Sequence, residues 1–281
     1  MASIKKSLLG FFMVLLSITL FYNAPSAFSL EEECSDDDKN YDMGSGQMFD
    51  TIAPKYDLIN KFMSLGLDQS WRRKLISSID IQADDKILDL ATGTADVAIL
   101  MGQKINSISG AQGKIIGVDP SANMIGIGNQ KVLASDLSQV VTLQLGDAQN
   151  MKELATGSFD KITMSFGIRN VPDQRAALTE MHRVLKKSEG SRLAIMEFHQ
   201  PSIGILASIA RFFIRTVTPL IGWLMSGGSF DEYDHLEKSI FAFPSVPEWG
   251  ALMESCGFEM IESKNAFMDT VYIHLAKPKV K

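Results

Sequence analysis

The sequence predicts an α/β protein built on a doubly wound, mostly parallel sheet, and three observations carry that prediction. The first is Lys86–Ala98, KILDLATGTADVA, in which Ile87, Leu88 and Leu90 read as a buried strand, Ala91 to Ala95 as a small-residue turn, and Asp96 as the opening of a helix. Such a turn lets a ligand approach the backbone at Gly93, and the helix start offers free N–H groups at a positive dipole end. The second is the alternation of strand and helix segments downstream, which joins strands in parallel through crossover helices. The third is that Gly93, Asp119, Asp147, Ser165, Arg169 and Glu197 all fall at or just beyond strand carboxyl ends, where open α/β sheets bind ligands. The turn alone does not name its ligand, because Gly93, Ala95 and Ala98 also satisfy a loose dinucleotide fingerprint.

Each element follows from local pattern. Between Met48 and Ile79, Tyr56, Ile59, Phe62 and Met63, then Trp71, Leu75 and Ile76, recur at helical spacing, so two helices precede the first strand. Lys114–Val118 is a second strand ending in Asp119, and Ser121 caps a helix reaching Leu133 that Gly126 and Gly128 weaken. Val140–Leu145 is a third strand, running into Gly146 and Asp147, and Phe159–Phe166 is a fourth, running into Gly167, Ile168, Arg169 and Asn170. Asp173 caps a helix with Leu178, Met181 and Leu185 on one face, and Arg192–Phe198 is the fifth strand. Beyond Pro201, Ile203–Met225 is apolar but carries Arg211, Arg215 and Pro219, so it reads as two helical pieces. A cover over the site, a membrane-facing surface and an ordinary core helix all suit it. Glu232–Phe243 and Val246–Cys256 look helical, with Gly257 stopping the second; Phe258–Ser263 and Thr270–Ala276 then read as closing strands, the last half-buried by its alternation.

Composition narrows the function. A chain of 281 residues, 46% hydrophobic and 21% charged, suits one large domain with an N-terminal extension. Its net charge of −6 and scattered Lys and Arg give no footprint for nucleic acid. Two cysteines, Cys34 and Cys256, are too few for a disulfide framework or a zinc site. Lys5 and Lys6, the apolar run Leu8 to Phe21 and the small residues Ala24 to Ala27 have the order of a secretory signal over 1–28, with a signal anchor as the alternative. The Ala27–Phe28 step is similar to the cleavage motif of bipartite plastid presequences, whereas Glu31 to Glu33 and Asp36 to Asp38 are acidic where transit peptides are acid-poor. Mitochondrial import fits worse, for want of an Arg-rich amphipathic presequence. Residues 29–47 read as a disordered acidic spacer, and 48–278 as the folded domain.

Several segments together resemble the ubiquinone/menaquinone biosynthesis C-methyltransferases, a family of class I S-adenosylmethionine-dependent methyltransferases: MFDTIAPKYDLIN at 48–60, MSLGLDQSWRR at 63–73, LDLATGTAD at 88–96, SFGIRNVPD at 165–173, RVLK at 183–186 and YDHLEKSIFAFP at 233–244. The resemblance implies a Rossmann-like methyltransferase domain with N-terminal helices and a helical cover insertion, S-adenosylmethionine as cofactor, and a prenylated quinol as substrate. It places Thr94 against the cofactor, Asp119 on the ribose, Asp147 and the backbone of Ala148 on the adenine, and Ser165 beside it. Asp89 supports the turn and the methionine ammonium, or serves the turn alone. It also implies peripheral membrane association and leaves open a homodimer or a quinone-synthesis complex. The chain departs from the family pattern at Ala95, where a glycine is usual, at Lys187 to Gly190, at His199, and at Met268 and Asp269.

Methyl transfer from a sulfonium to an electron-rich ring carbon asks the protein to position and dry the reactants and to stabilise a developing phenolate. Arg169 and Asn170 are assigned that stabilisation, Tyr56 closes over the methyl group, and His199 or Glu197 is the reserve proton acceptor through water. Arginine stays protonated, so Arg169 orients and stabilises rather than acting as a base. Two other readings stand beside this one: a nicotinamide-dependent dehydrogenase on the same turn, and a non-catalytic member of a quinone-synthesis assembly.

Overall fold

A computed structural model of the chain describes residues 46–64, 66–200 and 239–280. The signal 1–28, nearly all of the spacer 29–47 and the apolar stretch 203–225 lie outside the described residues, as does most of the helix expected over 232–243.

The N-terminal segment forms three helices, α1 (Gln47–Ile52), α2 (Tyr56–Met63) and α3 (Asp68–Ser78), where the spacing predicted two. Pro54 accounts for the difference. Lacking an N–H, it fits only a first helical turn, so the chain passes through a 3-10 turn at Ala53–Lys55 before α2 begins.

The wound part then follows as β1 (Lys86–Leu90), α4 (Asp96–Asn106), β2 (Lys114–Asp119), α5 (Ala122–Ala134), β3 (Val141–Leu145), β4 (Lys161–Ser165), a 3-10 turn at Ile168–Asn170, α6 (Gln174–Val184) and β5 (Arg192–Phe198). Both anticipated caps form: the Ser121 hydroxyl accepts from Met124 N at 3.1 Å, and Asp173 accepts from Ala176 N at 2.9 Å. Residues 239–242 are helical, and α7 (Val246–Ser255) starts on a Ser245–Glu248 capping box and ends before Gly257, whose φ of 94° is left-handed.

The chain closes with β6 (Phe258–Phe267) and β7 (Val271–Pro278). The seven strands lie in the order β3-β2-β1-β4-β5-β7-β6, the first five parallel and the last two antiparallel. β7 is therefore an interior strand between β5 and β6, and it is buried along almost its whole length rather than on one face. Its connecting loop holds one departure from the family pattern: Met268 and Asp269 sit at φ 43° and 61°, a conformation glycine adopts at less cost.

Apolar side chains fill both faces of the sheet. Ile87 packs with Trp71, Leu75, Met101 and Ile115 beneath α3 and α4, whereas Leu88 and Leu90 pack with Met164, Leu178, Met181 and Trp249 beneath α6 and α7. Side chains alternate along β1, so Asp89 points to the same side as Ile87. Strand order reverses between β1 and β4, which makes their carboxyl ends the switch point of the sheet.

Candidate cofactor and acceptor site

A cleft opens at that switch point, lined by Tyr56, Arg72, Asp89, Ala91, Thr92, Gly93, Thr94, Asp96, Val97, Ser165 and Phe166. The turn after β1 is built from left-handed residues, with φ of 49° at Ala91, 55° at Gly93 and 69° at Ala95. Phe166, after β4, is left-handed as well, at φ 58°. The two strand ends meet so closely that a Cβ on Gly167 would lie 2.3 Å from that of Ala91, which only glycine avoids. Backbone strain thus gathers on both sides of the cleft.

Beneath the turn, Asp89 is 1% exposed, and its carboxylate accepts from the hydroxyls of Thr92 at 2.7 Å and Thr163 at 2.6 Å. Burial pushes its pKa up to about 6 against those two bonds. Asp119, at the end of β2, accepts from Gly93 N at 2.8 Å and Ser121 N at 2.9 Å, and burial raises its pKa too. A carboxylate has about four acceptor sites, so two backbone bonds leave room for a diol. The loop carrying Asp147 and Ala148 is joined to this strand end by Gly146 N donating to Asp119 O at 3.1 Å. Within that loop the Asp147 carboxylate accepts from the Gln149 backbone N–H at 2.9 Å, and Ala148 is buried.

Tyr56 lies over Gly93, its Cε1 3.8 Å from where a Cβ would stand, and burial raises its phenol pKa. Asp57, beside it, accepts from the Thr94 hydroxyl at 2.6 Å and pairs with Lys131 at 2.8 Å. Lys131 also pairs with Asp96, which pairs in turn with Arg72 at 2.9 Å, and Arg72 pairs with Asp68. This network ties α2 and α3 to the turn and α5. Sequence reasoning did not single out Arg72, Asp96, Asp57 or Lys131. A readable sign existed for Arg72, which falls on the buried stripe of α3 with Leu75 and Ile76.

The structure therefore gathers Tyr56, Asp89, Gly93, Thr94 and Ser165 on one cleft and attaches Asp119 through its bond to Gly93. Asp147 and Ala148 stand on the adjoining loop rather than in the cleft lining. Arg169 lies close enough to Tyr56 for its charge to act on the phenol. Its Nη1 donates to Glu197 at 2.6 Å and to Phe166 O at 3.1 Å, and its buried Nε has no hydrogen-bond partner among the described residues. Asn170 sits next to it in the 3-10 turn.

Two reserve assignments change. Glu197 is fully buried as the counter-ion of Arg169 and also accepts from Phe198 N at 2.7 Å, so it anchors the arginine rather than waiting for a proton. His199 is not among the residues lining the cleft. Its Nδ1 meets Pro244 O at 3.0 Å and its Nε2 meets His274 Nε2 at 2.7 Å. Pro244 O only accepts, so Nδ1 carries the hydrogen and Nε2 receives one from His274, whose Nδ1 then accepts from Ser263 at 2.9 Å. Burial lowers the pKa to about 4 for His199 and about 3 for His274, leaving no ready proton acceptor.

A switch-point cleft with a carboxylate under the turn and another at the end of β2 is the arrangement of the S-adenosylmethionine-dependent α/β methyltransferases. A crystal structure of such an enzyme from Aquifex aeolicus shares the fold, with a TM-score of 0.52 at 17% identity over 73% of this chain and 88% of that one. A profile of the ubiE/COQ5 methyltransferase family matches residues 36–278, and the chain belongs to that family. It is 40% identical to the ubiquinone/menaquinone biosynthesis C-methyltransferase of Geotalea uraniireducens over 77% of this chain and 88% of that protein. To the demethylmenaquinone methyltransferase of Alkalihalophilus pseudofirmus it is 34% identical, over 82% and 93%. The chain is an S-adenosylmethionine-dependent methyltransferase.

Proposed function

We propose that the acceptor is a ring carbon of a prenylated quinol of the 2-demethylmenaquinol or demethylphylloquinol type, methylated in quinone biosynthesis. Menaquinone chemistry is common to the names of both relatives, which favours a naphthoquinol. The observation that carries the reading is Arg169: a cation fixed by buried Glu197, its Nε unpartnered among the described residues, close enough to the cleft residue Tyr56 for its charge to act on the phenol.

S-adenosylmethionine supplies a methyl group on a sulfonium. The chain's residues do the rest. Asp89, Thr94 and Asp119 hold the donor, with the Asp147–Ala148 loop next to the ribose position. Tyr56, kept protonated by burial, covers Gly93 and excludes water from the cleft. Arg169, with Asn170 beside it, orients the acceptor and stabilises the phenolate that develops as its hydroxyl loses a proton. Ala95 is not an obstacle to donor binding. Its methyl is buried against Gly128 of α5 and does not line the cleft.

Incubation of the purified protein with methyl-labelled S-adenosylmethionine and short-tailed quinols tests the reading. Label in the demethylnaphthoquinol is the expected result. Transfer to a benzoquinol alone would select the ubiquinone-type acceptor, which the name of the Geotalea relative also covers. Transfer to neither would overturn the quinol as acceptor. The tail is assigned to the apolar stretch 203–225, together with peripheral membrane contact. Polar substitutions there that leave vesicle binding and turnover of tailed quinols unchanged would overturn that assignment. The N-terminal 47 residues are proposed to direct the protein to a plastid through the secretory route. A fluorescent reporter carrying them that reaches mitochondria instead would refute it.

A further inference from the structure

We infer that Arg72 is the anchor for the carboxylate at the amino-acid end of the donor, held ready by Asp68 and Asp96. The inference rests on the cleft being the donor site. That end of S-adenosylmethionine carries an ammonium and a carboxylate, so a site that holds it in full needs one group of each charge. Among the described residues lining the cleft, Arg72 is the single cationic side chain, and Asp89 and Asp96 are the carboxylates.

The two carboxylates are not equivalent. Asp96 already faces two cations, Arg72 and Lys131, whereas Asp89 accepts only from the neutral hydroxyls of Thr92 and Thr163. The ammonium therefore belongs with Asp89, which makes no ion pair among the described residues.

Arg72 is itself only partly engaged. Both of its ion pairs run through Nη1, so Nη2 and Nε keep N–H groups that make no hydrogen bond among the described residues. Those groups form the planar fork that binds a carboxylate through two parallel hydrogen bonds. The two aspartates fix the guanidinium in place, and the side chain is only 8% exposed, so little rotamer freedom remains to be lost on binding. Because Arg72 comes from α3 and Asp89 from β1, a donor held by both bridges the N-terminal helices to the sheet.

The test compares S-adenosylhomocysteine with 5′-methylthioadenosine, which has the adenosine and sulfur but lacks the amino-acid end, by calorimetry. Arg72→Gln is expected to weaken S-adenosylhomocysteine about 30- to 100-fold, the range of a lost charge-assisted pair. Its affinity for methylthioadenosine should stay unchanged. Arg72→Lys keeps the charge but lacks the fork, so it should lose affinity for S-adenosylhomocysteine alone, and by less. Removing Arg72 strands two carboxylates, so Asp68→Asn with Arg72→Gln is the second variant if the single one fails to fold. Equal weakening of both ligands, or of neither, overturns the inference. Binding of neither ligand by the unaltered protein would instead overturn the reading of the cleft.

Discussion

Two regions of the sheet bury titratable side chains completely, and they treat them in opposite ways. At the carboxyl ends of β1 and β4, Asp89 is sealed beneath a turn of left-handed residues with no ion-pair partner among the described residues, and burial pushes its pKa up to about 6. Nearby, Arg169 leaves a buried Nε without a partner among the described residues. Across the β5–β7–β6 edge, His199 and His274 are just as buried, yet every ring nitrogen meets a partner along a chain from Ser263 to Pro244 O. Phe243 and Tyr272 pack edge-on against His199. The edge is closed chemistry that holds two strands and the loop at Pro244 together. The strand ends keep polar capacity in reserve, and a ligand is what completes them.

The strongest challenge to this contrast is at Arg169. Arg169→Ala leaves Glu197 as an uncompensated buried charge and should lower unfolding stability by about 3–5 kcal/mol in urea titration. Replacing both, as Arg169→Met with Glu197→Gln, should recover most of that stability while methyl transfer stays lost. Recovered turnover in the double variant would make the pair mere scaffolding and erase the difference between the two regions.

Acid separates the regions next. The unfolded histidines take up protons near pH 6.5, whereas folded His199 and His274 hold out to about 4 and about 3. The stability they contribute is complete above pH 6.5 and is lost as pH falls toward those values. Between pH 7 and 5 the pair should cost the fold on the order of 3 kcal/mol. Asp89 runs the other way. Its folded pKa of about 6 lies above the ordinary 3.8, so the folded protein gains a proton first, and about 1 kcal/mol is returned over the same window. Unfolding stability measured across that range should therefore fall, and His274→Phe should flatten the fall. An unchanged slope in that variant would show that the histidines are not the acid-sensitive element.

What could be read from sequence divides along similar lines. Five parallel strands, the caps at Ser121 and Asp173, and the gathering of Asp119 and Ser165 at strand ends are local patterns, set by periodicities of 2 and 3.6 and by neighbours a few residues away. Placing β7 between β5 and β6 was not legible, because pairing order depends on tertiary packing. Nor were the partners of buried charges. Thr94 meets Asp57 and Lys131 from 37 residues away on either side, and His199 meets His274 across 75. His199 looked available because it follows a strand that ends near the site, and only its partners reveal that both nitrogens are occupied.

A smaller effect sharpens the role of Asp89. Asp89→Asn removes a buried ionised group while keeping an oxygen for a threonine hydroxyl, and should raise the stability of the ligand-free protein at pH 7 by about 1–2 kcal/mol. The same substitution should abolish the thermal shift produced by S-adenosylhomocysteine. Stability and binding would then move in opposite directions, as expected where a site is kept short of its own optimum. A variant that is less stable and still binds would put Asp89 with the scaffold.

The smallest effect is at Ala95, and it concerns how strain is held in the turn. A left-handed alanine costs roughly 1–2 kcal/mol relative to a relaxed backbone, and Ala95→Gly would release much of that. Against the release stand a lost buried methyl, about 0.8 kcal/mol, and the greater freedom of glycine in the unfolded chain, about 0.4–1 kcal/mol. These terms nearly cancel, so the midpoint of thermal unfolding should move by only a few degrees at most. Donor affinity should not move at all, because the methyl faces Gly128 and not the cleft. A clear gain in affinity for Ala95→Gly would mean that the methyl does obstruct the ligand, and that part of the strain beside the cleft works against binding.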